Sequence, residues 1–184
     1  MQLLDCIKVY DNVLPIEPVG SFVKWLGTQK FEPAPTIGGL NREVRRADHY
    51  KLDIKSQLQS NVHWHNFLYK AIRKHLQKYA ENFIEFRCDR YIDIVALKYE
   101  QTGFYKYHID SSHESFRTVS CILLLNNDYE GGALSFGDPQ NLKQIKKIET
   151  VPNRLIVWPS NFLFPHSVLP VTKGLRYSVV AWAF

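Results

Sequence analysis

The residues most able to do chemistry lie in the short stretch Tyr107–Asp110, where a histidine stands two positions before an aspartate. In an extended segment, side chains at positions i and i+2 project from the same face, so His108 and Asp110 can reach one ion. A third ligand must come from a distant segment, and His166 begins a late apolar run that suits a strand. Two imidazoles and one carboxylate leave coordination positions open, as in non-haem Fe(II) sites, whereas zinc favours a closed tetrahedral set. We therefore predict that these residues bind iron.

A second pair of residues could bind an organic acid. Arg176 opens the last apolar run of the chain, and Ser178 follows two positions later on the same side of a strand. A 2-oxo acid that chelates a metal needs a cation at its far end. The planar guanidinium donates two parallel hydrogen bonds to a carboxylate, and a hydroxyl can add a third. Alternatively, Arg176 is an ordinary strand residue without a ligand. Its apolar neighbours would then indicate that it is paired with a buried acidic side chain.

The elements that must position these residues differ along the chain. Before about residue 90, the pattern predicts a strand over residues 3–10, a short helix over 18–29 and an amphipathic helix over 62–83. The predicted strands that follow are 91–99, 119–125, 133–136, 154–158, 166–171 and 176–184. Short strands separated by turns predict a mainly β (α+β) jelly roll that the N-terminal helices brace. We expect one domain over residues 1–184, with helical support over about residues 1–90 and the jelly-roll catalytic core over about residues 90–184.

Composition and charge exclude some classes of protein. Hydrophobic residues make up 45% of the 184 positions, enough for a buried core, and no apolar run approaches the roughly 18 residues that span a bilayer. The beginning of the sequence lacks the features of a signal peptide, and the three cysteines form no C-x-x-C motif, so we expect a cytoplasmic protein without membrane contact. The net charge of +5 is compatible with solvated basic faces or with an acidic partner, and it does not exclude nucleic acid.

The C-terminal half resembles a known family. Over about residues 90–184 the chain is similar to the prolyl 4-hydroxylase-like branch of the 2-oxoglutarate/Fe(II) oxygenases. The segments that carry the resemblance are, in order, LKYEQTGFYKYHID, RTVSCILLLN, GGALSF and PHSVLPVTKGLRYSVVAWAF. Their combination is specific, although no single motif is. The fold that the resemblance implies is a double-stranded β-helix, or jelly roll, which agrees with the predicted strands.

The resemblance also implies cofactors and site residues. It implies Fe(II), 2-oxoglutarate as co-substrate and O₂, and it raises ascorbate as an additional cofactor. The residues that it implies for the metal are His108, Asp110 and His166, and those for the co-substrate are Tyr99, Arg176 and Ser178. Trp182 matches a recurrent tryptophan near the iron. Leu124 stands where oxygen-sensing animal members of the family have a second co-substrate tyrosine.

The expected reaction is hydroxylation of a prolyl residue in a peptide or protein, with release of succinate and CO₂. We expect the substrate to approach between the segments 33–48 and 111–117, which carry arginines suited to carbonyl and carboxylate groups. The residues that we expect to contact the substrate are Arg45, Arg46, Arg117 and Trp182. Alternatively, these arginines pair with surface carboxylates of the same chain.

Two other functions stay open at this stage. One is the same chemistry on a small metabolite, a free amino acid or a nucleobase. The other is a non-catalytic jelly-roll binding module that retains the pocket. The intact set of metal-binding and carboxylate-binding residues weighs against this module, because a decayed site is expected to lose one of them.

Overall fold

The computed structural model describes residues 2–87, 92–113 and 116–184. The helices in these ranges are a 3-10 turn (Leu3–Cys6), α1 (Ile16–Leu26) and α2 (Gln59–Ala80). The strands are β1 (Lys8–Tyr10), β2 (Glu32–Pro33), β3 (Arg45–Arg46), β4 (Asp48–Leu52), β5 (Ile92–Tyr99), β6 (Phe104–His108), β7 (Val119–Leu124), β8 (Tyr129–Gly131), β9 (Leu134–Gly137), β10 (Gln144–Ile148), β11 (Arg154–Pro159), β12 (His166–Val168), β13 (Val171–Gly174) and β14 (Arg176–Ala183). The predicted boundary near residue 90 between the helical support and the catalytic core, the first residue of the predicted strand 91–99, and residues 114 and 115 of the predicted substrate segment lie outside the described residues.

Two antiparallel sheets form the core of the fold. The larger has seven strands in the order β1-β11-β7-β14-β5-β4-β2, and the smaller has five in the order β10-β9-β12-β6-β3. A buried cluster, which includes Tyr99, Leu134, Phe136 and Trp158, fills the space between them. This sandwich of antiparallel sheets confirms the predicted mainly β jelly roll.

The alternation of side chains along β14 determines which residues reach the interior of the sandwich. Val180 and Trp182 belong to the cluster between the sheets, and Arg176 and Ser178 share their parity along the strand. Tyr177, like the other odd-numbered residues of β14, packs on the opposite face. Because successive side chains of a strand point to opposite faces, the polar residues of this strand enter the core from a rigid element.

The two helices cover the outer face of the larger sheet. Phe22 and Leu26 of α1 and Leu68, Ile72 and Leu76 of α2 are fully or almost fully buried in the cluster on that face. Their spacing of three or four residues places them on one side of each helix. The central strands of the larger sheet are therefore covered on both faces, which explains why every residue of β7 is buried. No helix in the described ranges has the length and apolar character needed to cross a membrane.

Two of the strands predicted from the sequence were wrong. Residues Leu3–Cys6 form a 3-10 turn, capped where the Gln2 backbone N–H donates to the Asp5 carboxylate at 2.7 Å, and only Lys8–Tyr10 is a strand. The run 166–171 is two strands rather than one, because Pro170 has no N–H to donate to a ladder.

Several strands were not foreseen. Gln144–Ile148, in the polar segment after β9, pairs with β9, although its alternating charged residues hide the signal. Strands β1 to β4 also add the N-terminal part of the chain to the two sheets. The N-terminal part therefore contributes sheet edges as well as bracing helices, and β3 places Arg45 beside Tyr105 of β6.

Candidate active site

The three predicted metal ligands converge at the end of the smaller sheet. His108 ends β6 and is directly paired with His166, the first residue of β12, so their ring centroids lie 4.2 Å apart. His108 Nε2 lies 3.6 Å from Asp110 Oδ1, and His166 Nε2 lies 3.3 Å from Asp110 Oδ2. One candidate ligand atom from each residue lies within 4.8 Å of the others. The expected extended segment through Asp110 was wrong in detail, since β6 ends at His108 and Asp110 lies in a bend.

Backbone carbonyls set the orientation of both imidazoles. The Nδ1 atom of His108 lies 2.9 Å from the Lys106 carbonyl oxygen, and that of His166 lies 3.1 Å from the Phe164 carbonyl oxygen. A carbonyl can only accept, so each Nδ1 carries the proton and donates it. Both Nε2 lone pairs are then directed toward Asp110 and free to bind a metal, which is the arrangement that supporting hydrogen bonds impose at metal centres.

The Asp110 carboxylate is held by Ser120 of the larger sheet, and Ser160 in turn contacts Ser120. The Ser120 hydroxyl donates to Asp110 Oδ2 at 2.6 Å, and the Ser160 hydroxyl lies 2.7 Å from that of Ser120. Arg117 Nη1 lies 3.4 Å from the Asp110 carbonyl oxygen. These contacts fix the bend after β6 and explain how a residue outside the strand is positioned for metal binding.

The charges of the three residues favour a bound cation. Burial alone would raise the pKa of Asp110, but the neighbouring His166 and His108 hold it well below its usual range. Burial, followed by the effect of His166, lowers the pKa of His108 to about 4. An ionised carboxylate beside a neutral His108 imidazole is a donor set that suits a divalent transition metal. These residues therefore fit Fe(II).

Arg176 is completely buried, and its contacts differ from the prediction. Its Nη1 donates to Ser178 Oγ at 2.8 Å, and its guanidinium lies 5.0 Å from the centre of the Tyr99 ring. The predicted acidic partner is absent among the described residues, where the Nε and Nη2 atoms of Arg176 have no hydrogen-bond acceptor. Nε and Nη2 form one edge of the guanidinium fork, which is the edge that a carboxylate accepts in two parallel hydrogen bonds.

A cavity of about 300 Å³ contains all three candidate metal ligands in its lining. Of the co-substrate residues, Tyr99 lines this cavity, whereas Arg176 and Ser178 are buried beyond its lining. The predicted substrate residues that line it are Arg45, Arg117 and Trp182. Arg46 is not among them, because its side chain is exposed and donates to the Arg42 carbonyl oxygen at 3.3 Å. The structure thus brings three of the four predicted substrate residues to the site.

Stacked side chains connect the metal ligands to the cavity wall. The Tyr105 ring lies parallel to His108 with centroids 3.6 Å apart, and the Arg45 guanidinium lies 4.5 Å from the centre of the same ring. Trp158 packs edge-on against His166 at 4.8 Å. The sequence predicted neither aromatic contact, because both depend on the pairing of β6, β12 and β11 side chains across the sandwich.

Comparison with known families agrees with this geometry. Residues 94–184, which include every candidate metal and co-substrate residue, match the 2OG-Fe(II) oxygenase superfamily. Residues 94–184 of the chain belong to the 2OG-Fe(II) oxygenase superfamily. Membership confirms the predicted family, the enzyme class of 2-oxoglutarate-dependent dioxygenases, and Fe(II), 2-oxoglutarate and O₂ as the cofactor set.

Curated relatives match part of the chain. A segment of 68 residues, 37% of this chain, is 37% identical to prolyl 3-hydroxylase 1 of Gallus gallus, and another of 95 residues, 46% of this chain, is 36% identical to a PKHD-type hydroxylase of Aliarcobacter butzleri. The matches span only 9% and 40% of the lengths of those two proteins.

Solved structures share the fold over nearly the whole chain. A prolyl hydroxylase from Trichoplax adhaerens, in complex with a hypoxia inducible factor peptide, superposes with a TM-score of 0.80 over 98% of this chain and 85% of its own, at 17% identity. A prolyl-4-hydroxylase from Pseudomonas putida gives a TM-score of 0.75 over 98% of this chain and 96% of its own, at 20% identity. At these identities the likeness shows the fold alone.

Proposed function

We propose that this oxygenase hydroxylates a prolyl residue within a peptide or protein, with release of succinate and CO₂. The observation that carries the proposal is the exposure of large apolar side chains in segments that border the cavity. Ile37 lines the cavity and is 67% exposed, and Phe116, adjacent to Arg117, is 76% exposed. Phe162 is 69% exposed and lies in the loop that leads to His166. Exposed apolar side chains around a site are typical of protein-binding surfaces, whereas a metabolite site encloses its ligand.

The names of similar proteins support the same substrate class. The relatives and the solved structures described above include a prolyl 3-hydroxylase and a prolyl-4-hydroxylase, and the Trichoplax prolyl hydroxylase is in complex with a peptide. A peptide on this chain would cross these bordering segments and place one side chain in the cavity, near His108, Asp110 and His166. This geometry requires no closure of the protein around a whole substrate.

The residues of this chain have separate tasks in the proposed reaction. His108, Asp110 and His166 would hold the iron, and Arg176 with Ser178 would bind the distal carboxylate of 2-oxoglutarate. When bound, iron with 2-oxoglutarate and O₂ supplies the oxidising chemistry that converts a C–H bond into C–OH. Ser120 keeps the Asp110 carboxylate oriented, and the two carbonyl acceptors keep the imidazoles in the metal-binding tautomer. The apolar walls restrict water near the reacting atoms.

The test compares peptides with small molecules. The Fe(II)-loaded protein is incubated with 2-oxoglutarate and either proline-containing peptides, the same peptides with alanine at that position, free proline or nucleosides. We expect succinate formation to rise only with the proline peptides, which should gain the mass of one oxygen atom, and Asp110→Ala should be inactive. Stimulation by free proline or nucleosides alone would replace the proposal by the small-molecule alternative. An absence of turnover with intact 2-oxoglutarate binding would favour the non-catalytic module.

A further inference from the structure

The cavity wall contains two arginines in the same unusual environment. Arg45 lies 4.5 Å above the Tyr105 ring, and Arg117 lies 3.8 Å above the Trp182 ring. In each, Nη1 approaches a backbone carbonyl oxygen, that of Pro35 at 2.9 Å for Arg45 and that of Asp110 at 3.4 Å for Arg117. Stacking and the single carbonyl contact fix the plane of both guanidiniums.

The hydrogen-bond donors that remain define what these arginines can bind. The Nε atom of each arginine is buried, with no acceptor among the described residues. A buried N–H without an acceptor is costly, so a water, an ion or a ligand is expected to supply the missing acceptor. Because Nη1 is occupied in both, the donors that remain are Nε and the adjacent Nη2, the side of the fork that matches a carboxylate.

Their charges are incompletely balanced within the chain. Arg117 lies 4.0 Å from Asp110 Oδ1, but that carboxylate belongs to the metal site, and Asp93 on the same cavity wall offsets part of the charge of Arg117. For Arg45, the part of the chain that the structure describes offers no acidic partner, only the Pro35 carbonyl oxygen and the Tyr105 ring. Two cations on one cavity wall repel each other, and an anion between them would remove that repulsion.

We propose that Arg45 and Arg117 bind a carboxylate of the substrate, close in space to the hydroxylated residue. This inference rests on the proposed function and narrows it to substrates with an acidic group near the target. The carboxylate can come from an Asp or Glu side chain of a peptide or from a free carboxyl terminus. Arg46, the neighbour of Arg45, takes no part, because its side chain is exposed outside the cavity.

The experiment pairs each acidic peptide with its amide. In the first set of proline peptides, Glu or Gln is placed at one of the two positions before or the two positions after the proline, one position at a time. In a second pair, the peptide ends directly after the proline, either in a free carboxylate or in an amide. Succinate formation and equilibrium binding to the Mn(II)- and 2-oxoglutarate-loaded protein are both measured. We expect a preference of about tenfold or more for one acidic member, the scale of one charge-assisted interaction. The preferred pair identifies the source of the carboxylate.

The variants decide whether the arginines cause the preference. Arg45→Ala should bind the acid and the amide equally, Arg45→Lys should recover part of the preference, and Arg46→Ala should keep all of it. Equal binding of every acid and amide pair by the parent protein would overturn the inference, as would a preference that survives in Arg45→Ala. Hydroxylation of peptides without an acid preference would leave the proposed reaction intact and remove only this inference. Because binding is measured separately from turnover, peptides that bind without being hydroxylated test the inference equally well.

A separate observation concerns Tyr129, which no prediction included. Its hydroxyl is buried without a hydrogen-bond partner of good geometry among the described residues. Burial raises the pKa of Tyr129, and the adjacent guanidinium of Arg176 opposes that rise. Gly132 has a positive φ of 64°, and a Cβ there would lie 2.8 Å from Arg176 Cδ and 3.2 Å from Tyr129 Cε2. The glycine therefore allows the two side chains to share one buried space.

We infer that the Tyr129 hydroxyl donates a further hydrogen bond to the distal carboxylate of 2-oxoglutarate. Arg176 presents two free donors in the same buried space, and Tyr129 adds a third, so a carboxylate would satisfy all of them. Leu124, which is paired with Ser178 in the neighbouring strand, cannot supply a hydroxyl from β7. Tyr129 lies at the start of β8, from which it reaches the same end of β14.

The test separates the two ends of the co-substrate. Affinities of the Mn(II)-loaded protein for 2-oxoglutarate and for oxalate, which chelates metal but has no distal carboxylate, are measured by calorimetry. Tyr129→Phe should weaken 2-oxoglutarate binding about tenfold and leave oxalate binding unchanged. The control Tyr69→Phe, at a partly buried position of α2 outside the cavity lining, should change neither. Equal affinity of Tyr129→Phe and the parent for 2-oxoglutarate, or an equal loss for both ligands, would refute the role of Tyr129. Failure of the parent protein to bind 2-oxoglutarate would instead refute the assigned co-substrate.

Discussion

Replacing Arg176 with alanine tests how the co-substrate is bound. Arg176 is completely buried, and its Nε and Nη2 donors have no acceptor among the described residues, whereas Nη1 is occupied by Ser178 at 2.8 Å. One side of the guanidinium fork is thus free for the distal carboxylate of 2-oxoglutarate. A hydrogen bond to a charged group contributes about 1.5–3 kcal/mol. Since about 1.4 kcal/mol corresponds to a factor of ten, loss of this side should weaken binding about ten- to hundred-fold.

The assay for this variant is equilibrium binding of 2-oxoglutarate to the Mn(II)-loaded protein, with succinate formation as a second measurement. Arg176→Ala should raise the dissociation constant and the KM for 2-oxoglutarate together, and Arg176→Lys should lie between it and the parent because it keeps the charge without the fork. Arg154→Ala is the matched control, since Arg154 pairs with Asp11 at 2.7 Å away from the cavity. A parent-like dissociation constant in a folded Arg176→Ala protein would show that the carboxylate is bound elsewhere.

Two further predictions concern the metal. His108→Ala and Asp110→Ala should each abolish iron binding, measured as iron per protein chain, because each removes one of three ligands. Unchanged stoichiometry in a folded variant would remove that residue from the site. Ser120→Ala should weaken iron binding about 10- to 100-fold, the usual effect of losing a hydrogen bond to a metal ligand. Ser167→Ala is its control, since the Ser167 hydroxyl is also buried but has no partner in the described structure, and equal affinities of both variants would contradict the role of Ser120.

The metal ligands could be predicted from the sequence because their placement follows mainly from local geometry. His108 and Asp110 are two residues apart, and the strand that ends at His108 sets the direction of the first of them. The same period of two along β14 places Arg176 and Ser178 on one face. Predicting His166 as the third ligand required one further assumption, that a late strand pairs with the strand that carries His108. The jelly-roll fold provides this pairing.

Contacts between distant segments were decided only by the tertiary structure. Arg45 and Arg46 are neighbours in the sequence, yet only Arg45 lines the cavity, because the pairing of β3 with β6 directs alternate side chains to opposite faces. The register of such a short strand has no signal in the sequence. Ser120, in an apolar run of β7, likewise reaches Asp110 only because the two sheets face each other.

For Arg176, the sequence determines its burial, whereas only the tertiary structure determines its contacts. The apolar neighbours in the sequence correctly indicate that this arginine is buried, since a residue of a central strand covered on both faces has no access to water. They do not indicate what it contacts. The folded chain brings it Ser178, the Tyr99 ring and the Tyr129 hydroxyl from three strands, and it leaves one side of the guanidinium for a carboxylate that the chain itself does not supply. Local periodicity determines on which face of a strand a side chain lies, and packing across the sandwich determines which groups that side chain contacts.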